Sequence, residues 1–117
     1  MTPPSPRLVD YLGHIRQAIS RIQSYTSQLD EAQFAQTELV QDAVIRNFEI
    51  IGEASKNIER QFPDFATSHP ELPLAIAYEM RNALAHGYFK VDISIVWRTI
   101  ERDLPSLDAM IAKLQTL

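Results

Sequence analysis

The residues best equipped for chemistry fall in one short stretch, Arg81-Asn82-Ala83-Leu84-Ala85-His86-Gly87-Tyr88. A guanidinium carries permanent positive charge on a planar fork that matches phosphate oxygens, and an imidazole can take and give a proton near neutral pH. On a helix, at about 100° per residue, Asn82 and His86 stand one turn apart on one face, with Arg81 about 140° around from His86. Arg81 must therefore reach. Its long side chain can still converge on a group held by the imidazole, particularly if Gly87 ends the helix and lets His86 and Tyr88 swing out. The pair suits phosphodiester chemistry. The plainer reading of an Arg and a His near a helix C-terminus is as dipole partners or caps worth ~0.3–1 kcal/mol.

The elements that would position this stretch read as helices throughout. Leu8, Leu12, Ile15, Ile19 and Ile22 recur at alternating spacings of four and three, with Tyr11, Ala18 and Tyr25 widening the stripe, which predicts an amphipathic helix. His14 lies beside that stripe with no carboxylate or second His at ligand spacing, so it reads as a surface or packing histidine. Asp30 with Gln33 forms a capping box for a short turn of helix carrying Phe34, and Thr37 is a cap for the next helix. Over residues 37–60, Val40, Val44, Phe48, Ile51, Ala54 and Ile58 again keep helical period, with Phe62 continuing the line. Gly52 costs ~1 kcal/mol inside a helix and marks a close backbone approach. Glu53 beside it reads as a solvated or ion-paired carboxylate, the alternative being an approach to the active site.

Pro63, Pro70 and Pro73, together with Asp64, Thr67 and Ser68, make residues 62–72 a loop, with His69 exposed on it. Pro73 then opens a helix over 74–86 whose core line is Ile76, Met80 and Ala83. Ala77, Ala83, Ala85 and Gly87 keep that helix thin, which would let a partner helix or a phosphodiester substrate come close to Arg81 and His86, the plainer reading being tight bundle packing. Asp92 caps a final helix bearing Ile93, Val96, Trp97, Ile100, Leu104, Leu107, Ile111 and Leu114. Pro105 must kink or restart it, because its ring clashes with the Glu101 carbonyl. With no strand alternation, repeat, glycine-rich phosphate loop or metal-ligand cluster, the expected fold is all-α. Four long antiparallel helices and a short one form an up-and-down bundle, a single domain over 1–117 with a flexible tail at 1–6.

Composition narrows the class. A chain of 117 residues with 45% hydrophobic content is the size of one domain and can bury a core without staples. Without cysteine there is no disulfide, thiolate nucleophile or cysteine zinc site. No signal-like or membrane-length apolar run is present, so the expected location is cytoplasmic, away from membranes. The net charge of −4 and pI near 5.3 argue against broad nucleic-acid binding, so RNA would have to be held by a local cleft, such as one built by two subunits.

The pattern R-x-x-x-x-H-x-Y, carried by Arg81, His86 and Tyr88, resembles the signature of HEPN ribonucleases, specifically the HepT-like toxins of HEPN/MNT toxin–antitoxin pairs. The likeness extends to Ala43-Val44-Ile45-Arg46-Asn47-Phe48-Glu49-Ile50-Ile51-Gly52-Glu53-Ala54, similar to the family's central helix. It also covers Tyr88 to Asp92, Val96-Trp97 and Asp103-Leu104-Pro105, similar to its last segment. The resemblance implies a helical bundle that dimerises to bring two motifs together, and Tyr11, Tyr25 and Phe89 are candidate dimer contacts. It further implies a partner nucleotidyltransferase antitoxin of the MntA type that transfers AMP onto Tyr88.

No cofactor is called for. The mechanism expected of such a site is metal-independent RNA cleavage by the ribose 2′-hydroxyl, with His86 moving the proton and Arg81 stabilising charge on the phosphoryl oxygens. Asn82 would hold the imidazole or contact phosphate. The second proton carrier is left open among Tyr88, water and His86 of the other subunit. The competing expectation is a non-catalytic helical bundle that presents a surface to a minimal nucleotidyltransferase, a protein with no need for Arg81 and His86 together.

Overall fold

Two long helices form the spine of the computed structural model, which describes residues 6–72, 74 and 93–115. They are α1 (Pro6–Thr26) and α3 (Glu38–Gln61). The chain reverses between them, and Tyr11 near the start of α1 accepts a hydrogen bond from Nε2 of Gln61, the last residue of α3, at 3.1 Å. The two helices therefore run antiparallel. The α1 stripe Leu8, Leu12, Ile15, Ile19 and Ile22 is buried along its whole length, as are Val44, Phe48, Ile51, Ala54 and Ile58 of α3. Hydrophobic periodicity sets which faces meet.

The reversal is built from local chemistry. Asp30 accepts from the Gln33 backbone at 2.8 Å while its own N–H donates to Gln33 Oε1 at 3.0 Å, the reciprocal capping box that opens α2 (Glu31–Gln36). This short helix carries Phe34, fully buried with its ring centroid 5.3 Å from that of Trp97. Thr37 occupies the cap position of α3 without capping it. Its hydroxyl donates back to the Gln33 carbonyl at 2.7 Å instead, competing with the role expected of it.

The stretch expected as a loop after Phe62 is partly helical. Pro63 opens α4 (Pro63–Ser68), because at the first helical position its missing N–H is one that no helix bond needs. His69 ends α4, half-buried rather than exposed, with its ring 4.6 Å from that of Phe65. Its Nδ1 lies 2.9 Å from Glu71 Oε1, and this hydrogen bond holds the Glu71 carboxyl below its usual range.

The C-terminal helix is not broken at Pro105 but changes its hydrogen-bond pattern before it. It runs as α5 (Ile93–Arg98), a π-helical turn (Thr99–Asp103) and α6 (Leu104–Gln115). In the π turn Leu104 N–H reaches back five residues to the Thr99 carbonyl, so the missing donor at Pro105 is absorbed in a wider turn. Val96, Ile100, Leu104, Leu107 and Ile111 stay buried across it. Arg16 ties α1 to α6 through Asp108 Oδ1 and Gln115 Oε1, each at 2.9 Å. All described elements are helical, and the fold is an all-α bundle. The helix expected over 74–86, beyond Leu74 itself, and the Asp92 cap lie outside the described residues. Among those described, no helix is long and apolar enough to cross a membrane.

Candidate functional site

Arg81, Asn82, His86 and Tyr88 lie outside the described residues, as does Phe89. The structure places the two points from which their segment departs and returns. Leu74 is 3% exposed and its N–H donates to the Leu72 carbonyl at 2.8 Å, while Val96, one turn into α5, is equally buried. Both flanks of the motif are thus pinned to the core.

Facing the core from α3 are two buried polar side chains with no counterpart in the sequence expectations. Asn47 donates from Nδ2 to the Ala43 carbonyl at 2.9 Å, but its Oδ1 meets no hydrogen-bond donor among the described residues, and neither does buried Ser55 Oγ find a partner there. Groups of this kind cost roughly 1–3 kcal/mol each when left without a partner. A one-dimensional reading passes over them because both sit beside the apolar line without interrupting it.

Two titratable residues weighed in the sequence, His14 and Glu53, meet along one seam. Tyr11 and His14 on α1, and Ile50, Glu53, Ala54 and Asn57 on α3, line a pocket of about 150 Å³. The Tyr11 and His14 rings stand edge to face, with centroids 6.5 Å apart and planes at 76°. His14 is exposed, in agreement with a surface histidine, and exposed Glu53 has no ion-pair partner among the described residues. Asn57 Oδ1 accepts from Arg60 Nη2 at 2.7 Å, which puts a cation at the rim. Tyr25 is 42% exposed, and half-buried Tyr11 packs against the core while its oxygen accepts from Gln61. Among the described residues no cluster of three or more His, Asp or Glu is gathered to hold a metal.

The family model for HepT-like ribonucleases matches residues 15–114, which includes the whole Arg81–Tyr88 stretch. The chain belongs to the HepT-like ribonuclease family. A relative in Thermococcus cleftensis, described as a probable ribonuclease HepT, is 43% identical over 106 residues, covering 91% of this chain and 94% of that one. The fold of this HepT-like chain also matches a solved structure, a tri-AMPylated HEPN toxin of Shewanella oneidensis in complex with an MNT antitoxin. The TM-score is 0.72 at 23% identity, covering 97% of this chain and 100% of the other. The bundle expected from periodicity is thus the HEPN fold, and the resemblance carried by the R-x-x-x-x-H-x-Y stretch holds at the level of the family.

Proposed function

We propose that this HepT-like protein is the toxin of a toxin–antitoxin pair and a metal-independent endoribonuclease, working as a cytoplasmic homodimer. The observation that carries this reading is Arg81, His86 and Tyr88 standing at motif spacing inside the segment matched by the ribonuclease family model. His86 accepts the proton of a ribose 2′-hydroxyl as that oxygen attacks the adjacent phosphorus. The bond from phosphorus to the 5′-oxygen breaks, a proton from Tyr88, water or His86 of the other subunit goes to that leaving oxygen, and a 2′,3′-cyclic phosphate and a 5′-hydroxyl remain. Arg81 binds the phosphoryl oxygens as their charge grows, and Asn82 orients the imidazole or the phosphate. A two-fold dimer supplies the shaped cleft that an acidic chain needs to hold RNA. Purified protein is expected to cut single-stranded RNA into products with these ends and to keep most of its rate in EDTA. A rate that collapses in EDTA and returns with a divalent ion overturns the metal-independent chemistry. No cleavage at all favours the non-catalytic binding bundle.

Control falls to Tyr88, two residues beyond His86. A nucleotidyltransferase antitoxin transfers AMP from ATP to its phenol oxygen, releasing pyrophosphate, and each added phosphate brings negative charge to a place meant for an RNA phosphate, occupying Arg81. The structural neighbour, itself AMPylated and held by an MNT antitoxin, supports this reading. Incubation with the antitoxin, ATP and Mg²⁺ is expected to add AMP to the peptide containing Tyr88 and to stop cleavage, and Tyr88→Phe is expected to escape both. Mass spectrometry that finds AMP only on another residue refutes the assignment.

A further inference from the structure

The pocket between α1 and α3 has a donor and acceptor pattern that selects one kind of ligand. Glu53 contributes two acceptor oxygens. Asn57 Oδ1 is taken by Arg60, and an arginine can only donate, so the side-chain amide presents its N–H groups elsewhere. The Tyr11 oxygen already accepts from Gln61, which leaves its O–H to give. Ile50 and Ala54 supply apolar surface, and two rings at 76° form a corner in which a flat molecule stacks on one ring and meets the edge of the other. The complement is a planar heterocycle with paired N–H donors for the carboxylate and an acceptor for the amide or phenol.

Among RNA bases only guanine has this edge. Its N1–H and N2–H donors lie side by side, matching a carboxylate in bidentate fashion, and O6 accepts. Adenine and cytosine place a ring-nitrogen lone pair beside their amine, and uracil flanks its single N–H with two carbonyls, so each sets a lone pair against Glu53. A guanidinium from a protein partner also fits a carboxylate, but it leaves the Asn57 and Tyr11 donors unmet and brings a second cation beside Arg60. Resting on the ribonuclease reading above, we propose that Tyr11, His14, Glu53 and Asn57 form a guanine-binding subsite that selects which unpaired base of an RNA substrate the protein holds, with Arg60 at the rim for the attached phosphate.

The test is an NMR titration of the intact protein with 5′-GMP, 5′-AMP, 5′-CMP and 5′-UMP, following the backbone amides of Tyr11, His14, Glu53 and Asn57. GMP is expected to shift these signals with a dissociation constant on the order of ten-fold or more below those of the other three. Glu53→Gln, at an exposed position where the fold is not at stake, is expected to erase that preference. Equal responses to all four nucleotides, no response, or shifts produced by N-acetyl-arginine amide in place of GMP overturn the proposal, the last in favour of a protein partner's cation. Because binding is read without cleavage, the two readings separate. A chain that binds GMP here but cuts no RNA keeps the subsite and loses the nuclease, and one that cuts RNA but ignores GMP does the reverse.

Discussion

His86→Ala is expected to lower RNA cleavage by roughly 10²–10⁴-fold, the share that a positioned general acid–base contributes, and Arg81→Ala to produce a loss of similar order by removing charge stabilisation at the phosphoryl oxygens. The double variant should be little worse than either single one, because a proton transfer with no stabilised charge, or a stabilised charge with no proton transfer, each stalls the same step. Helical circular dichroism should stay at the wild-type level in all three. If both single variants unfold, Arg81 and His86 are structural partners of the helix end instead, and if His86→Ala cleaves at the wild-type rate the imidazole has no part in the chemistry.

Phe48→Ala is expected to remove ~3–5 kcal/mol of stability, a large part of the ~5–15 kcal/mol a domain has in hand. Phe48 is 1% exposed on the α3 face that packs against α1, among Val44 and Ile51, both wholly buried, so truncation leaves a cavity walled by side chains with no room to collapse. Urea unfolding followed by circular dichroism checks this through the midpoint. Leu39→Ala is the control: at 81% exposure Leu39 should change stability by less than about 0.5 kcal/mol. Similar midpoints for the two variants would show that the α1–α3 seam is not where this bundle keeps its stability.

The extent to which the sequence foretold the molecule follows from the range over which each signal acts. The helical stripes of α1 and α3 and the Asp30–Gln33 capping box depend on neighbours within one or two turns, and they fold as their spacing predicts. Pro63 misled because proline punctuates loops and equally well opens helices, and only the turn that follows decides between them. Pro105 foretold a disturbance but not its form, since a missing donor is met as readily by a wider turn as by a kink. Arg81, His86 and Tyr88 could be singled out for a proposed chemistry because they lie together in the chain, while their placement in the fold is outside the described residues. The pocket was not, because Tyr11 and His14 become neighbours of Glu53 and Asn57 only when two antiparallel helices pack.

The π turn between α5 and α6 bears on how this chain aligns with its relatives. A five-residue step accommodates one residue more than an α-helical turn does while returning the following side chains to the same face, which is why Leu104, Leu107 and Ile111 stay inside. The turn is therefore a place where the chain can gain or lose one residue without rotating α6 and without separating Asp108 from Arg16. A relative one residue shorter between 98 and 104 would keep the same core with an uninterrupted helix, and homologous sequences should carry their single-residue gaps there in preference to anywhere else in the last helix.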